Sequence, residues 1–282
     1  MSGIMKLPKI LSAIFLCHFF LIAHSQKLPN KQEVSLYAPA NIKIDGNADE
    51  WENQFQAYNK ATEIFYTMAN DDRNLYLIAH ATNPRVIQKI IYVGLTLAIN
   101  TNGKKNLKDK NNISITYPLL SPKEGALIIY NARDIAYNPG THLVANTDST
   151  LKKATVKQID STIKVANTLL STNAKEIKID GISSIKDSLV SIYNEEGIRV
   201  GASFDITGAY TYELSIPLKY LNISGDNTQD LNYNIHIKGR SEEPKKGMLI
   251  HYYYREGHPI DADADLDSTT DFSGKYTLAK KP

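Results

Sequence analysis

The chain has 282 residues, 42% of them hydrophobic and 22% charged, enough apolar content to build a packed core rather than a disordered chain. Lys and Arg number 32 against 30 Asp and Glu, a formal excess of +2. So small an excess excludes a basic field for nucleic acid or for an anionic membrane surface.

Residues 1–25 open with Lys6 and Lys9, continue through apolar Ile10–Ala23 and end on Ala23-His24-Ser25. A basic start, a short apolar run and small residues before a cut describe a secretory signal peptide. A permanent span needs roughly 20 apolar residues, and this run is shorter. Its removal leaves 257 residues with 30 basic and 30 acidic side chains, and takes away Cys17, the only cysteine. The exported chain, 26–282, is therefore expected to be electrically balanced, without disulfide or thiol chemistry, and without a transmembrane segment. It reads as a single domain held by a large core.

Along the mature chain the dominant period is two. Strands are predicted over 33–38, 63–68, 74–82, 90–99, 112–117, 125–130, 187–193, 198–204, 247–254 and 275–279, separated by polar turns such as Asn70–Asn74. The alternation is clearest in Tyr210–Ile216, where Tyr210, Tyr212, Leu214 and Ile216 share one face and Thr211, Glu213 and Ser215 the other. It repeats in Leu231–Lys238, with Leu231, Tyr233, Ile235 and Ile237 opposite Asn232, Asn234, His236 and Lys238. Stretch 149–172 changes period: Val156, Ile159, Ile163, Ala166 and Leu170 recur every three or four residues, which predicts an amphipathic helix inserted into the domain. The fold class expected is all-β (β-rich), an antiparallel β-sandwich with a helical excursion.

An ordered set of landmarks is more specific: Ile42-Lys-Ile-Asp45-Gly46-Asn-Ala-Asp-Glu50-Trp51, then Asn70-Asp-Asp-Arg-Asn-Leu-Tyr76-Leu77, then Leu97-Ala-Ile-Asn100-Thr-Asn102-Gly103, and far downstream Tyr212-Glu213-Leu-Ser-Ile-Pro217-Leu218. In this order they resemble the family 9 carbohydrate-binding modules and the wider DOMON-like sandwiches, over roughly residues 34–280. The resemblance implies a secreted, carbohydrate-binding-module-like sandwich that binds a sugar and serves carbohydrate breakdown beside glycoside hydrolases. Physically, Asp45-Gly46 suits a tight turn, Trp51 is expected to close one end of the core, and Pro217 to end its strand. Sugar-binding members clamp their ligand between aromatic rings, commonly Trp. With Trp51 committed to the fold motif, stacking here falls to tyrosine.

Three constellations are candidates for chemistry. In His251-Tyr252-Tyr253-Tyr254-Arg255, Tyr252 and Tyr254 share a strand face, suited to the apolar face of a sugar ring. Asn232, Asn234 and His236 would add hydrogen bonds if their strand is adjacent. The bland alternative is a solvated polar face beside a buried tyrosine pair. Asp261, Asp263, Asp265 and Asp267 set carboxylates at every second residue, an oxygen-rich site for calcium or a solvated acidic loop. The EF-hand pattern itself fails, with Leu266 where Gly is required. Met68 with His80 or His236 has the residue types of a haem pair, against a simple core methionine.

No nucleophile elbow, phosphate loop or dinucleotide fingerprint occurs. Noncatalytic binding of an oligosaccharide or polysaccharide is thus the leading expectation. The alternatives are an envelope scaffold that keeps the fold and binds a protein partner, and a haem-binding domain.

Overall fold

The structure is a computed structural model. It describes residues 27–100, 112–136, 143–145, 151–153, 156–221, 223, 230–239, 253–255, 258–260 and 264–281, with backbone alone at 133–136, 143–145, 151–153, 156, 253–255, 258–260 and 264–265. The expected signal peptide lies outside these residues. No helix among the described residues is long and apolar enough to cross a membrane.

Elements follow in the order β1 (Leu36–Tyr37), β2 (Ala57–Asn59), β3 (Ile64–Asn70), β4 (Asn74–Ala81), α1 (Pro84–Val93), β5 (Leu95–Asn100), β6 (Ile113–Tyr117) and α2 (Pro122–Ala136). Then come β7 (Leu143–Ala145), β8 (Leu151–Lys153), α3 (Val156–Asn173), β9 (Glu176–Asp180), β10 (Leu189–Ser191), β11 (Arg199–Phe204) and β12 (Tyr210–Pro217). The last are β13 (Asp230–Ile237), β14 (Tyr253–Arg255), β15 (His258–Ile260), α4 (Ala264–Asp267) and β16 (Thr270–Thr277). Two six-stranded sheets result. The first runs β1-β3-β4-β12-β11 with β2 also on β3, and the second runs β10-β9-β6-β5-β13-β16. All pairings are antiparallel except β1 with β3.

Side-chain alternation stacks the sheets. Tyr66 and Met68 of β3, Leu75 and Leu77 of β4, and Tyr210, Tyr212, Leu214 and Ile216 of β12 share one apolar core with Leu97, Ile115, Tyr233, Ile235 and Phe272 of the second sheet. Tyr66 and Tyr233 meet across the layers, hydroxyl to hydroxyl at 2.9 Å, and the Gln32 backbone N–H also donates to Tyr66. This is the β-sandwich that the alternation predicts, with Pro217 ending β12 as expected.

Helices close its ends, and two of them correct the strand assignments. Residues 90–93 belong to α1. Asn83 caps it by accepting from the Arg85 N–H, Pro84 starts it, Gly94 stops it at φ +80, and Ile87, Ile90 and Ile91 face the core. Residues 125–130 are α2, not a strand. Ser121 and Glu124 form a reciprocal cap, and Ile128, Ile129 and Ala132 are buried at helical spacing. In both, runs of Ile and Tyr read as strand when only composition is weighed, while the caps decide otherwise. Of the stretch read as helical at 149–172, the helix α3 begins only at Val156 and buries Ile163, Ala166 and Leu170, while Leu151–Lys153 is the strand β8. Asn167 of α3 accepts from the Phe204 N–H at 2.8 Å and donates to its carbonyl at 2.9 Å, satisfying the outer edge of β11.

Trp51 corrects a second expectation. It does not close the inter-sheet core but packs on the outward face of the first sheet, with Ala38, Ala48, Ala69, Tyr76 and Ile78. Residues 38–56 thus form a strap across that face. Gly46 allows it at φ +85: a Cβ there would sit 2.3 Å from the Ala202 carbonyl carbon. Gly201 receives it from below, since its own Cβ would lie 2.7 Å from Ile44.

Candidate functional site

On the outward face of the second sheet, Asn232, Asn234 and His236 do share one side of β13. Their neighbours across the ladder are Asn100, Ala98 and Thr96 on β5, and Lys275, Ser273 and Asp271 on β16. The row is already knitted together. Asn234 Nδ2 lies 2.8 Å from Asp271 Oδ2, 3.0 Å from the Phe272 carbonyl and 3.1 Å from Ser273 Oγ, while its Oδ1 meets His236 Nδ1 at 2.9 Å. Asn232 is buried. Tyr254 falls on β14, which pairs with β15 in a separate two-stranded ribbon, so the strand flanking β13 is not the tyrosine strand. Tyr252 lies outside the described residues.

Of the acidic run, Asp261 and Asp263 lie outside the described residues and Asp265 is placed by backbone only, on α4. Asp267 ends α4. Beside it the ammonium of Lys89, a residue buried on α1, donates to the Ser268 carbonyl and to Thr270 Oγ1 at 3.2 Å. No cluster of metal-ligating side chains occurs among the described residues.

Of the two readings of Met68, the structure has the core methionine. Met68 is fully buried between the sheets, whereas His80 projects from the opposite face of the same sheet and His236 from the outward face of the other. Neither histidine faces Met68 across a cavity.

A different surface emerges on the outward face of the first sheet, beyond the strap. Tyr58, Phe65, His80, Thr211 and Ser203 are ladder partners from β2 to β11 and form one row. The Tyr58 and Phe65 rings lie 4.6 Å apart at 45°, and Phe55, at the end of the strap, stacks on the His80 imidazole at 5.2 Å and 21°. Phe55 also stands 6.0 Å from Phe65. All three aromatic rings and His80 are half-buried.

His80 Nδ1 meets Oγ1 of the buried Thr211 at 3.0 Å, and Asn83 Nδ2 donates to Glu63 Oε2 at 2.7 Å. Burial holds the His80 imidazole below its ordinary value against the opposing pull of Asp205, so the neutral ring is favoured. Burial and the nearby Glu63 carboxylate push the Tyr58 phenol up.

Residue-level reading of the sequence misses this row because Phe65 stands between two core residues, Ile64 and Tyr66, and so hides its outward aim. The available signal is that Ile64, Tyr66 and Met68 already fill the inward positions of β3, which leaves Phe65 outward. Such an arrangement can hold a ring-shaped, hydroxylated molecule: tilted aromatic faces take its C–H side, and imidazole, amide, hydroxyl and carboxylate groups take its polar edge.

No protein-family profile matches the chain, and no curated protein does. Among solved structures it is similar to a family 9 carbohydrate-binding module from Caldicellulosiruptor kristjanssonii in complex with glucose. The sequence identity is 10% and the TM-score 0.38, over 88% of this chain and 96% of that one. Likeness at that level decides nothing about a ligand, which has to be argued from the residues themselves.

Proposed function

We propose that this protein is an exported, noncatalytic carbohydrate-recognition domain whose binding surface is the row Tyr58–Phe65–His80 with Phe55 beside it. The observation that carries the reading is the contiguity of three half-buried aromatic rings and an imidazole on one outward sheet face, with Asn83 and Glu63 beside them. Aromatic rings are ordinarily drawn inward, and a group of them on an outward sheet face marks a place for a ligand. Ring stacking is worth about 0.5–1.5 kcal/mol per aromatic, so a single sugar unit binds weakly and an oligosaccharide gains by spanning the row. The resemblance in the sequence landmarks supports the same class and a role accessory to glycoside hydrolysis, and the apolar leader supports export.

Titration calorimetry against a panel of oligosaccharides tests the reading. Binding that falls in Phe65→Ala supports it, and unchanged binding in that variant refutes this site. Tyr252→Ala and Tyr254→Ala, run beside it, test the second face read from the sequence with Asn232, Asn234 and His236. Chelation with EDTA tests calcium at Asp261, Asp263, Asp265 and Asp267. The hydrogen bonds that Asn234 already makes count against the β13 face as the sugar site. An envelope scaffold with a protein partner is the alternative, tested by co-purification.

A further inference from the structure

The outer strands of an open sheet carry backbone N–H and C=O groups on a side where no strand follows. Here β1, β2 and β10 are edges of only two or three residues, and Asn167 of α3 takes up the backbone of β11 at Phe204. The edge at β16 is different. It runs for eight residues, Thr270–Thr277, and among the described residues its backbone pairs with β13 alone.

The unpaired side of β16 follows from one contact. Asn234 of β13 donates to the Phe272 carbonyl at 3.0 Å, so that carbonyl points toward β13. Backbone groups alternate in direction along an antiparallel strand, so the N–H and C=O groups of Asp271, Ser273 and Lys275 point away from it. The side chains of these three are exposed on the outward face, whereas Phe272 and Tyr276 are buried.

The order of these residues is self-complementary. Turned about a two-fold axis at Ser273, the strand meets a copy of itself antiparallel, with Ser273 opposite Ser273 and Asp271 opposite Lys275 on both sides of the axis. On the inner face Phe272 falls opposite Gly274 and Tyr276 opposite Thr270, so no two large side chains collide. An axis at Asp271 or at Lys275 would set like charges face to face. Within one chain Lys275 lies 3.6 Å from Asp230, and Asp271 accepts from Asn234 at 2.8 Å. Exposed contacts of this kind are weak and readily shared with a second partner. A guarded edge carries charges that a second copy repels, but opposite signs at equal spacing from Ser273 attract one.

We propose that β16 is a homodimer interface, at which two copies join edge to edge about Ser273 and their six-stranded sheets become one continuous sheet. Because β16 belongs to the second sheet, the aromatic row on the outward face of the first stays uncovered in both copies. Pairing over so short a strand buries little apolar surface, so the dimer is weak and forms as concentration rises.

Sedimentation velocity of the chain without its leader, over about a hundredfold range of protein concentration, tests the interface. A reversible shift from monomer to dimer is expected. Ser273→Pro removes an outward N–H and leaves the ladder to β13 in place, while Asp271→Lys or Lys275→Asp sets like charges across the axis. Each change should weaken the dimer roughly tenfold or more, with a cooperative melt that shows the fold retained. Mixing the Asp271→Lys and Lys275→Asp proteins restores both opposite-charge pairs, and should give a mixed dimer under conditions where each alone is monomeric. A monomer at every concentration overturns the proposal. So does a dimer that the charge variants form as readily as the parent, or one that mixing them fails to restore.

Discussion

The indole Nε1 of Trp51 donates to Glu213 Oε1 at 3.0 Å, joining two residues 162 positions apart. The other oxygen of the same carboxylate accepts the N–H groups of Asp45 at 3.0 Å and Gly46 at 2.9 Å. Glu213 is 1% exposed, on the outward face of β12, and it ties the strap of residues 38–56 to the sheet. Three donors left without an acceptor in a buried site are costly. Glu213→Ala is therefore expected to destabilise the protein by about 3 kcal/mol, read as a lower urea midpoint. Trp51→Phe keeps much of the packing but strands Oε1, and should cost about 1–2 kcal/mol.

The same carboxyl should make stability depend on pH. Burial pushes Glu213 up to about 7 from an ordinary value of 4.5, with the Gly46 and Asp45 N–H groups and the Trp51 indole pulling it back. The folded state then holds the proton more tightly than the unfolded chain does. Its contribution to stability is full below pH 4.5 and is lost as pH rises through about 7. Urea unfolding across pH 5 to 8 should show the wild type losing about 2–3 kcal/mol relative to Glu213→Gln, which lacks the titration. Parallel profiles for the two proteins would contradict this.

Gly46 is the backbone half of the latch. At φ +85, with Ala202 beneath it, Gly46→Ala meets both an unfavourable dihedral and a steric overlap. A loss of more than about 2 kcal/mol is expected by thermal or urea melting, against less than about 0.5 kcal/mol for a change at exposed Asn47.

Much of this architecture is legible in the residue pattern. The alternation of Tyr210–Ile216 and Leu231–Ile237 assigns inner and outer faces correctly. The Asp45-Gly46 turn and the strand end at Pro217 also follow from local chemistry. What the pattern conceals depends on long-range contacts. Whether Trp51 seals the inter-sheet core or lies over the outer face is decided by a carboxylate far along the chain. Short apolar runs such as 125–130 fit strand and helix alike until the Ser121–Glu124 cap is recognised. The aromatic row is assembled from several strands and the strap, and no local window contains it.

The core carries two tyrosine hydroxyls, Tyr210 and Tyr212, that are fully buried with no hydrogen-bond partner among the described residues. Desolvation pushes both phenols up strongly. Removing an unpaired buried hydroxyl relieves its cost, so Tyr212→Phe is expected to be neutral or stabilising by up to about 1 kcal/mol. Tyr66→Phe should go the other way by about 1–2 kcal/mol, because it breaks the bonds to Tyr233 and Gln32. Urea melts of the two variants give the comparison, and a stabilised Tyr66→Phe would contradict it.

The most direct test of the account is calorimetric titration of the intact protein and its Phe65→Ala variant with one oligosaccharide that the intact protein binds. Phe65 is half-exposed and belongs to the outward row, so the fold should survive its loss. Affinity in the variant is expected to fall roughly twofold to tenfold, with a lowered melting temperature but a cooperative transition that shows the fold retained. Equal affinity in the two proteins would remove the aromatic row from sugar recognition.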